Sequence, residues 1–169
     1  MLVRLGRAGE AERLQQLEVE AGELFREIGM DQIADDEPPS LEVLDAAIAD
    51  GRLWVAEIDL EPVAGYGMAI VLDGAPHMEQ VSVAPAHQRR GVGRALMNQG
   101  ADWARHLGAD SITLTTFRDV PWNAPLYERL GFVAIDDADL TPALRRVRDH
   151  EIELGLDAAG PRIAMRRML

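Results

Sequence analysis

Neither cysteine nor lysine occurs among the 169 residues, so every fixed positive charge of a side chain is one of 17 arginines. Without cysteine, disulfides, thiolate nucleophiles and zinc–cysteine sites are excluded together. Without lysine, a Walker-type phosphate loop is excluded as well. No apolar run approaches the roughly 20 residues of a membrane span, and Met1 to Glu10 lacks the apolar core of a signal peptide, so a soluble cytoplasmic protein is expected. Acid is what the chain has in excess: 29 Asp and Glu give a formal net charge of −12 and a pI near 4.7. Such a surface repels phosphate backbones and anionic lipid, which argues against nucleic-acid and membrane partners. With 47% hydrophobic residues, residues 1–169 are expected to fold as one domain around its own core.

The charge is uneven. Residues 1–80 hold 5 arginines against 18 acids, residues 81–134 hold 6 against 4, and residues 135–169 hold 6 against 7. The weakly basic middle has two readings, chance clustering or a place where an anion is held.

Hydrophobic period gives the element order. Leu2 to Leu5 reads as a strand, and Ala8 to Ile28 as a helix with Leu14, Leu17, Ala21 and Leu24 at helical spacing, ended by Gly29. Met30 to Pro39 reads as a loop, and Ser40 opens a second helix that closes at Gly51. Leu53–Ile58 and Val63–Leu72, separated by Asp59 to Pro62, read as a hairpin, and Met78 to Val83 as a further strand. Gly91 to Leu107 is the clearest helix, with Val92, Leu96, Trp103 and Leu107 in one stripe. Ser111 to Thr116 is a strand, Phe117 to Trp122 a loop, and Asn123 is placed to cap a helix running to Leu130. Phe132–Ile135 and Arg162–Arg166 close the sheet, with a polar helical stretch near Pro142 to Leu154 between them. This is an α/β (α+β) order with a mixed, mostly antiparallel sheet of six to seven strands flanked by helices.

Chemistry concentrates in Gln88-Arg89-Arg90-Gly91-Val92-Gly93-Arg94. Two glycines one residue apart let the backbone turn tightly, the following helix contributes its positive end, and three arginines surround the turn. Together they suit a pyrophosphate; a glycine turn with solvated arginines is the plain reading. The dinucleotide fingerprint does not fit, because its third small position is Leu96. His87, His106 and His150 lack metal-ligand spacing, so no metal is expected, and no Gly-x-Ser-x-Gly elbow is present.

The strand Met78–Val83, the Gln88-x-x-Gly91-x-Gly93 turn, the helix behind it and Asn123-Ala-Pro-Leu-Tyr127-Glu-Arg-Leu-Gly131-Phe132 together resemble the GNAT superfamily of acyl-CoA-dependent N-acetyltransferases, over about residues 76–134. The resemblance implies a splayed strand pair forming an acyl-CoA slot. It implies that backbone groups of Val81, Ser82 and Val83 bond the pantetheine arm. It further implies that Gln88, Arg89, Arg90, Gly91, Val92, Gly93 and Arg94 hold the pyrophosphate, and that Asn123 bonds the pantetheine end. Tyr127 would stand near the sulfur as the acid. Glu79 first and His77 second correspond to the base; plain alternatives are an arginine partner for Glu79 and a turn role for His77. Acetyl-CoA is the implied co-substrate, without a metal, and the implied activity is acetyl transfer to an amino group of a small molecule, peptide or protein by direct attack in a ternary complex. A non-catalytic acyl-CoA-binding or regulatory domain of the same fold is the alternative. A homodimer is a habit of the family only. The acceptor is expected to carry an amine, and the acidic residues 1–80, with Asp35-Asp36-Glu37, suit a cationic one; a solvated acidic loop is the competing reading. Phe117 to Trp122 is a second candidate wall for the acceptor. Lacking lysine, such an enzyme has no side-chain amine of its own to acetylate.

Overall fold

A computed structural model describes residues 1–58 and 61–169, in the order β1 (Leu2–Leu5), α1 (Ala11–Arg26), α2 (Asp31–Ala34), α3 (Leu41–Ala49), β2 (Leu53–Ile58), β3 (Glu61–Leu72), β4 (Ala75–Val83), α4 (Val92–His106), β5 (Ser111–Phe117), α5 (Ala124–Arg129), β6 (Val133–Ala134), α6 (Pro142–Glu153), α7 (Leu156–Ala159) and β7 (Arg162–Met168). The strands form a seven-stranded sheet in the order β1-β2-β3-β4-β5-β7-β6. The described β1/β2, β2/β3, β5/β7 and β6/β7 ladders are antiparallel, and β4/β5 is parallel. The expected mixed, mostly antiparallel sheet flanked by helices is therefore the observed one.

Several boundaries differ from expectation, each for a local reason. Helix α1 starts at Ala11 rather than Ala8, because Glu10 accepts the Arg7 amide at 2.7 Å and fixes the preceding residues as a turn. Asp31–Ala34, placed in a loop by sequence, forms the single turn α2. Ser40 caps α3 as expected, its Oγ accepting from Val43 N at 3.3 Å. Of the expected connector Asp59–Pro62, residues 59 and 60 lie outside the described residues, and strand β3 already begins at Glu61. Strand β4 starts at Ala75, three residues early, because Asp73 (φ 47°) and Gly74 (φ 86°) make a two-residue turn of the kind that joins tight hairpins. Phe117 belongs to β5, not to the following loop, and pairs with Arg162.

Contacts divide the chain into two compact units: residues 1–69 with 79–102, and residues 70–78 with 103–169. The divisions fall inside β3, β4 and α4. In the first unit, Leu14 and Leu17 of α1 and Leu44 and Ala47 of α3 share a core with Leu53 and Val55 of β2 and with Tyr66 and Met68 of β3. Fully burying each Leu stabilises by about 1.5–3 kcal/mol relative to exposure. The buried face of α4 is Val92, Leu96, Met97 and Ala101. The expected stripe ran too far along that helix: Leu107 lies beyond its end and is 55% exposed. In the second unit, Ile112 and Leu114 of β5 and Met165 of β7 are buried, as are Phe132 and Leu144.

Candidate functional site

The first unit carries the glycine turn. Strand β4 ends at Val83, a 3-10 turn spans Pro85–His87, and α4 begins at Val92. Between them Arg89 (φ 57°) and Gly91 (φ 85°) both adopt the left-handed conformation. At Gly91 a side chain would strain the backbone even though nothing lies within 4 Å of its would-be Cβ. The first bond of α4 described after the turn runs from Ala95 N to the Gly91 carbonyl at 3.0 Å, so the amides of Val92, Gly93 and Arg94 belong to the unbonded first turn of the helix. Arg89, Arg90 and Arg94 are exposed around it, and an Arg90 guanidinium nitrogen lies 3.0 Å from His87 Nδ1. This conformation, with positive helix end and three cations, fits a pyrophosphate.

On β4, Glu79 is exposed, Val81 and Val83 are half-buried and Ser82 is buried. The Ser82 hydroxyl turns to α1, donating to Glu18 Oε2 at 2.5 Å. Gln80 Nε2 donates to Glu18 Oε1, and Tyr66 Oη donates to Oε2 at 2.7 Å. Burial pushes the Glu18 carboxyl above the usual carboxylate range, with the charge of Asp36 adding to it and the bonds from Ser82 and Tyr66 opposing it.

The second unit carries the remaining candidates. His77 is 1% exposed and pairs across the ladder with Thr113 of β5; its Nδ1 lies 2.8 Å from the Thr113 hydroxyl, which donates to the Pro76 carbonyl at 3.4 Å. Burial lowers the His77 pKa to about 4, against the opposing charge of Glu151. Asn123 occupies the N-cap position of α5, but its side chain does not cap the helix, contrary to expectation. Instead Nδ2 donates to Thr116 Oγ1 at 2.9 Å, tying the start of α5 to β5. One turn later Tyr127 packs edge-on against Phe132, with centroids 6.0 Å apart. Burial pushes its phenol up to about 12, with Arg162 opposing.

Glu151 of α6 and its partners were not singled out by sequence. This carboxylate accepts from Thr115 Oγ1 at 2.5 Å, from Arg162 at 2.7 Å and from Arg148. Burial raises its pKa, but the arginines and Thr115 outweigh that and hold it below the usual range. Arg148 also grips Asp157 at 2.7 Å, and the Arg162 guanidinium lies 4.5 Å over the Phe117 ring. Of the other acceptor candidates, Asp35 is held by Arg26 at 2.6 Å and Asp119 by Arg118 at 2.9 Å. Among the described residues no group of His, Asp and Glu is arranged to hold a metal ion.

This fold is shared with solved structures that hold coenzyme A. It is similar over 100% of its length to 99% of Rv2747 from Mycobacterium tuberculosis, solved in complex with CoA, at a TM-score of 0.72 and 22% identity. It is similar over 99% of its length to 98% of the PaiA N-acetyltransferase of Thermoplasma acidophilum, solved with coenzyme A, at 0.69 and 14%. At these identities the likeness is one of fold. The sequence profile of the Acetyltransferase (GNAT) family matches residues 12–132, and the chain belongs to that family. The resemblance drawn from residues 76–134 is thereby borne out and widened. Curated relatives include the streptothricin acetyltransferase of Streptomyces lavendulae, 41% identical over 89 residues, which are 50% of this chain and 46% of the relative. The uncharacterized N-acetyltransferase YobR of Bacillus subtilis (strain 168) is 27% identical over 79 residues, 47% of this chain and 32% of that one. The matched regions thus span less than half the length of these two relatives.

Proposed function

We propose that the protein transfers an acetyl group from acetyl-CoA to an amino group of its acceptor by direct attack in a ternary complex. The observation that carries this reading is the left-handed Arg89–Gly91 turn feeding the amino end of α4 amid exposed Arg89, Arg90 and Arg94. Family membership supports it. Bound acetyl-CoA supplies an activated thioester.

In this reading Gly91, Val92, Gly93 and Arg94 hold the pyrophosphate through backbone amides, with Gln88, Arg89 and Arg90 at its rim. Val81, Ser82 and Val83 hold the pantetheine arm as an added strand would be held, and Asn123 holds its end, already fixed by Thr116. Tyr127 keeps its proton at neutral pH, as a pKa of about 12 requires, and gives it to the departing sulfur. Glu79, exposed on β4, takes the ammonium proton through water. His77 is the weaker choice for that role, because a ring with a pKa of about 4 draws a proton poorly from an amine. The acceptor is cationic, in keeping with the acidity of residues 1–80.

Thermal unfolding with acetyl-CoA, and with NAD and ATP as controls, tests the reading. At about 100 times Kd the ligand adds roughly 2.7 kcal/mol, a rise of several degrees. A selective shift with acetyl-CoA is expected; its absence overturns the cofactor assignment.

A further inference from the structure

Gly65 lies in the interior of β3, paired with Ala56 of β2. Glycine weakens a strand interior, and where one stands there another part of the chain often comes close. Its backbone is not left-handed, unlike that of Gly91, so an ordinary residue could adopt the conformation and only space calls for glycine. That space is taken. A Cβ built on Gly65 would stand 2.8 Å from the Ser82 carbonyl oxygen, 2.9 Å from Val92 Cγ1 and 3.4 Å from Leu96 Cδ1. The first two lie inside the distance at which packed atoms rest. Both belong to segments assigned above to the donor. Ser82 stands between Val81 and Val83 in the stretch that holds the pantetheine arm, and Val92 opens the helix whose first amides hold the pyrophosphate.

A methyl group at Gly65 would have to push one of these segments aside, and the bonds decide which. Beside it Ala84 N donates to the Ala64 carbonyl at 3.0 Å, and the Ser82 hydroxyl donates to Glu18 at 2.5 Å. Moving the Ser82 carbonyl therefore strains bonds on both sides of β4. Val92 has no such tie, but its branched side chain is stiff at χ1, so the start of α4 lifts with it. That start is closely seated elsewhere too: a Cβ built on Gly93 would lie 3.9 Å from Val83 Cγ2. The amides of Val92, Gly93 and Arg94 share one helical turn and move together, since a close-packed interior transmits strain.

We propose that Gly65 is a positioning residue for the acyl-CoA site, its missing side chain seating the amino end of α4 against β4 so that the pyrophosphate turn and the pantetheine strand stand at the separation the donor needs. This rests on the acetyl-CoA reading of the turn. Isothermal titration of acetyl-CoA into wild type, Gly65→Ala and Gly6→Ala tests it, beside the thermal midpoints of the unliganded proteins. Gly6→Ala is the matched control, because its Cβ would meet Ile48 Cγ1 and Leu53 Cδ2, each at 2.9 Å, and neither residue is assigned to the donor. Both variants are expected to melt below wild type. Gly65→Ala should weaken acetyl-CoA about tenfold or more, as a displaced support does, and Gly6→Ala should bind within about twofold of wild type. Adding Val92→Ala, which keeps the backbone amide and clears the contact, should bring Gly65→Ala back to within about threefold of wild type. Wild-type affinity in Gly65→Ala overturns the proposal, and so does a loss that Gly6→Ala shares or that Val92→Ala leaves in place. If Gly65→Ala does not fold, the double variant decides by the same threefold criterion; if neither folds, Gly65 serves the core alone and the proposal is overturned. A wild type that binds no acetyl-CoA overturns the donor reading and this proposal with it, whereas a wild type that binds while Gly65→Ala binds equally well overturns the proposal alone.

Discussion

Tyr127 and His77 are ionisable side chains whose surroundings push them away from ordinary behaviour in opposite senses. A phenol raised to about 12 is a reserve of protons at neutral pH, so Tyr127→Phe should lower kcat by about 10²-fold or more. Affinity for acetyl-CoA should change less than twofold, because the ring and its contact with Phe132 remain. Steady-state kinetics with CoA release, beside the thermal shift, checks both; unchanged turnover removes the acid role. His77 is a stability element. In the unfolded chain its pKa is about 6.5, and in the folded protein about 4, so as pH falls the unfolded chain takes the proton first. The stability His77 contributes is complete above about pH 6.5 and lost on the way down to about pH 4. Between pH 7.5 and 5.0 this amounts to about 2 kcal/mol. Urea unfolding at the two pH values should show His77→Asn losing correspondingly less than wild type. Of the candidate site residues, Tyr127 and the arginines of the turn stand out in the sequence because they sit in a motif. The bond from Asn123 to Thr116 was not, since nothing local says whether an N-cap asparagine turns to its own helix or to a strand.

Helices α1 and α6 share a feature that the hydrophobic pattern half concealed. Glu18 follows Leu14 by four residues, and Arg148 and Glu151 follow Leu144 by four and seven, so charged groups lie within buried stripes. Read for apolar residues alone, α6 was a polar helical stretch. Read for charges on the inward side, it carries a core made of ions, with Glu151 reaching Thr115 of β5 and Arg162 of β7. Glu151→Ala removes the common partner of Arg148 and Arg162. Arg148 keeps Asp157, but the Nε of Arg162 already has no partner among the described residues. The expected loss is about 3–5 kcal/mol, read as a lower midpoint in denaturant with an unchanged slope. Replacing the ions by well-packed apolar residues would cost much less, since the penalty lies in the orphaned cations. The element boundaries that sequence misplaced have local causes of the same kind: the Asp73-Gly74 turn moves β4, and the pairing of Phe117 with Arg162 extends β5.

At the scale of the molecule, the order of elements and the mixed sheet were legible because helical and strand periods alternate cleanly along the chain. Among the described residues no helix is long and apolar enough to cross a membrane, which agrees with the lack of long apolar runs. The place of β7 was not legible, because pattern reveals a strand but not its neighbours. That placement has a bearing on how the chain is made. Strand β7 lies between β5 and β6, pairing with β5 over all seven of its residues and with β6 through Met165 and Arg166. Strands β5 and β6 therefore leave the ribosome before the strand that joins them. At roughly 5–20 residues per second, synthesis from Arg118 to Pro161 leaves the outer edge of β5 without its partner for about two to nine seconds. During that interval a nascent edge strand is open to any chaperone or neighbouring chain that meets it, so the last strand governs when this half of the protein becomes safe from misassembly.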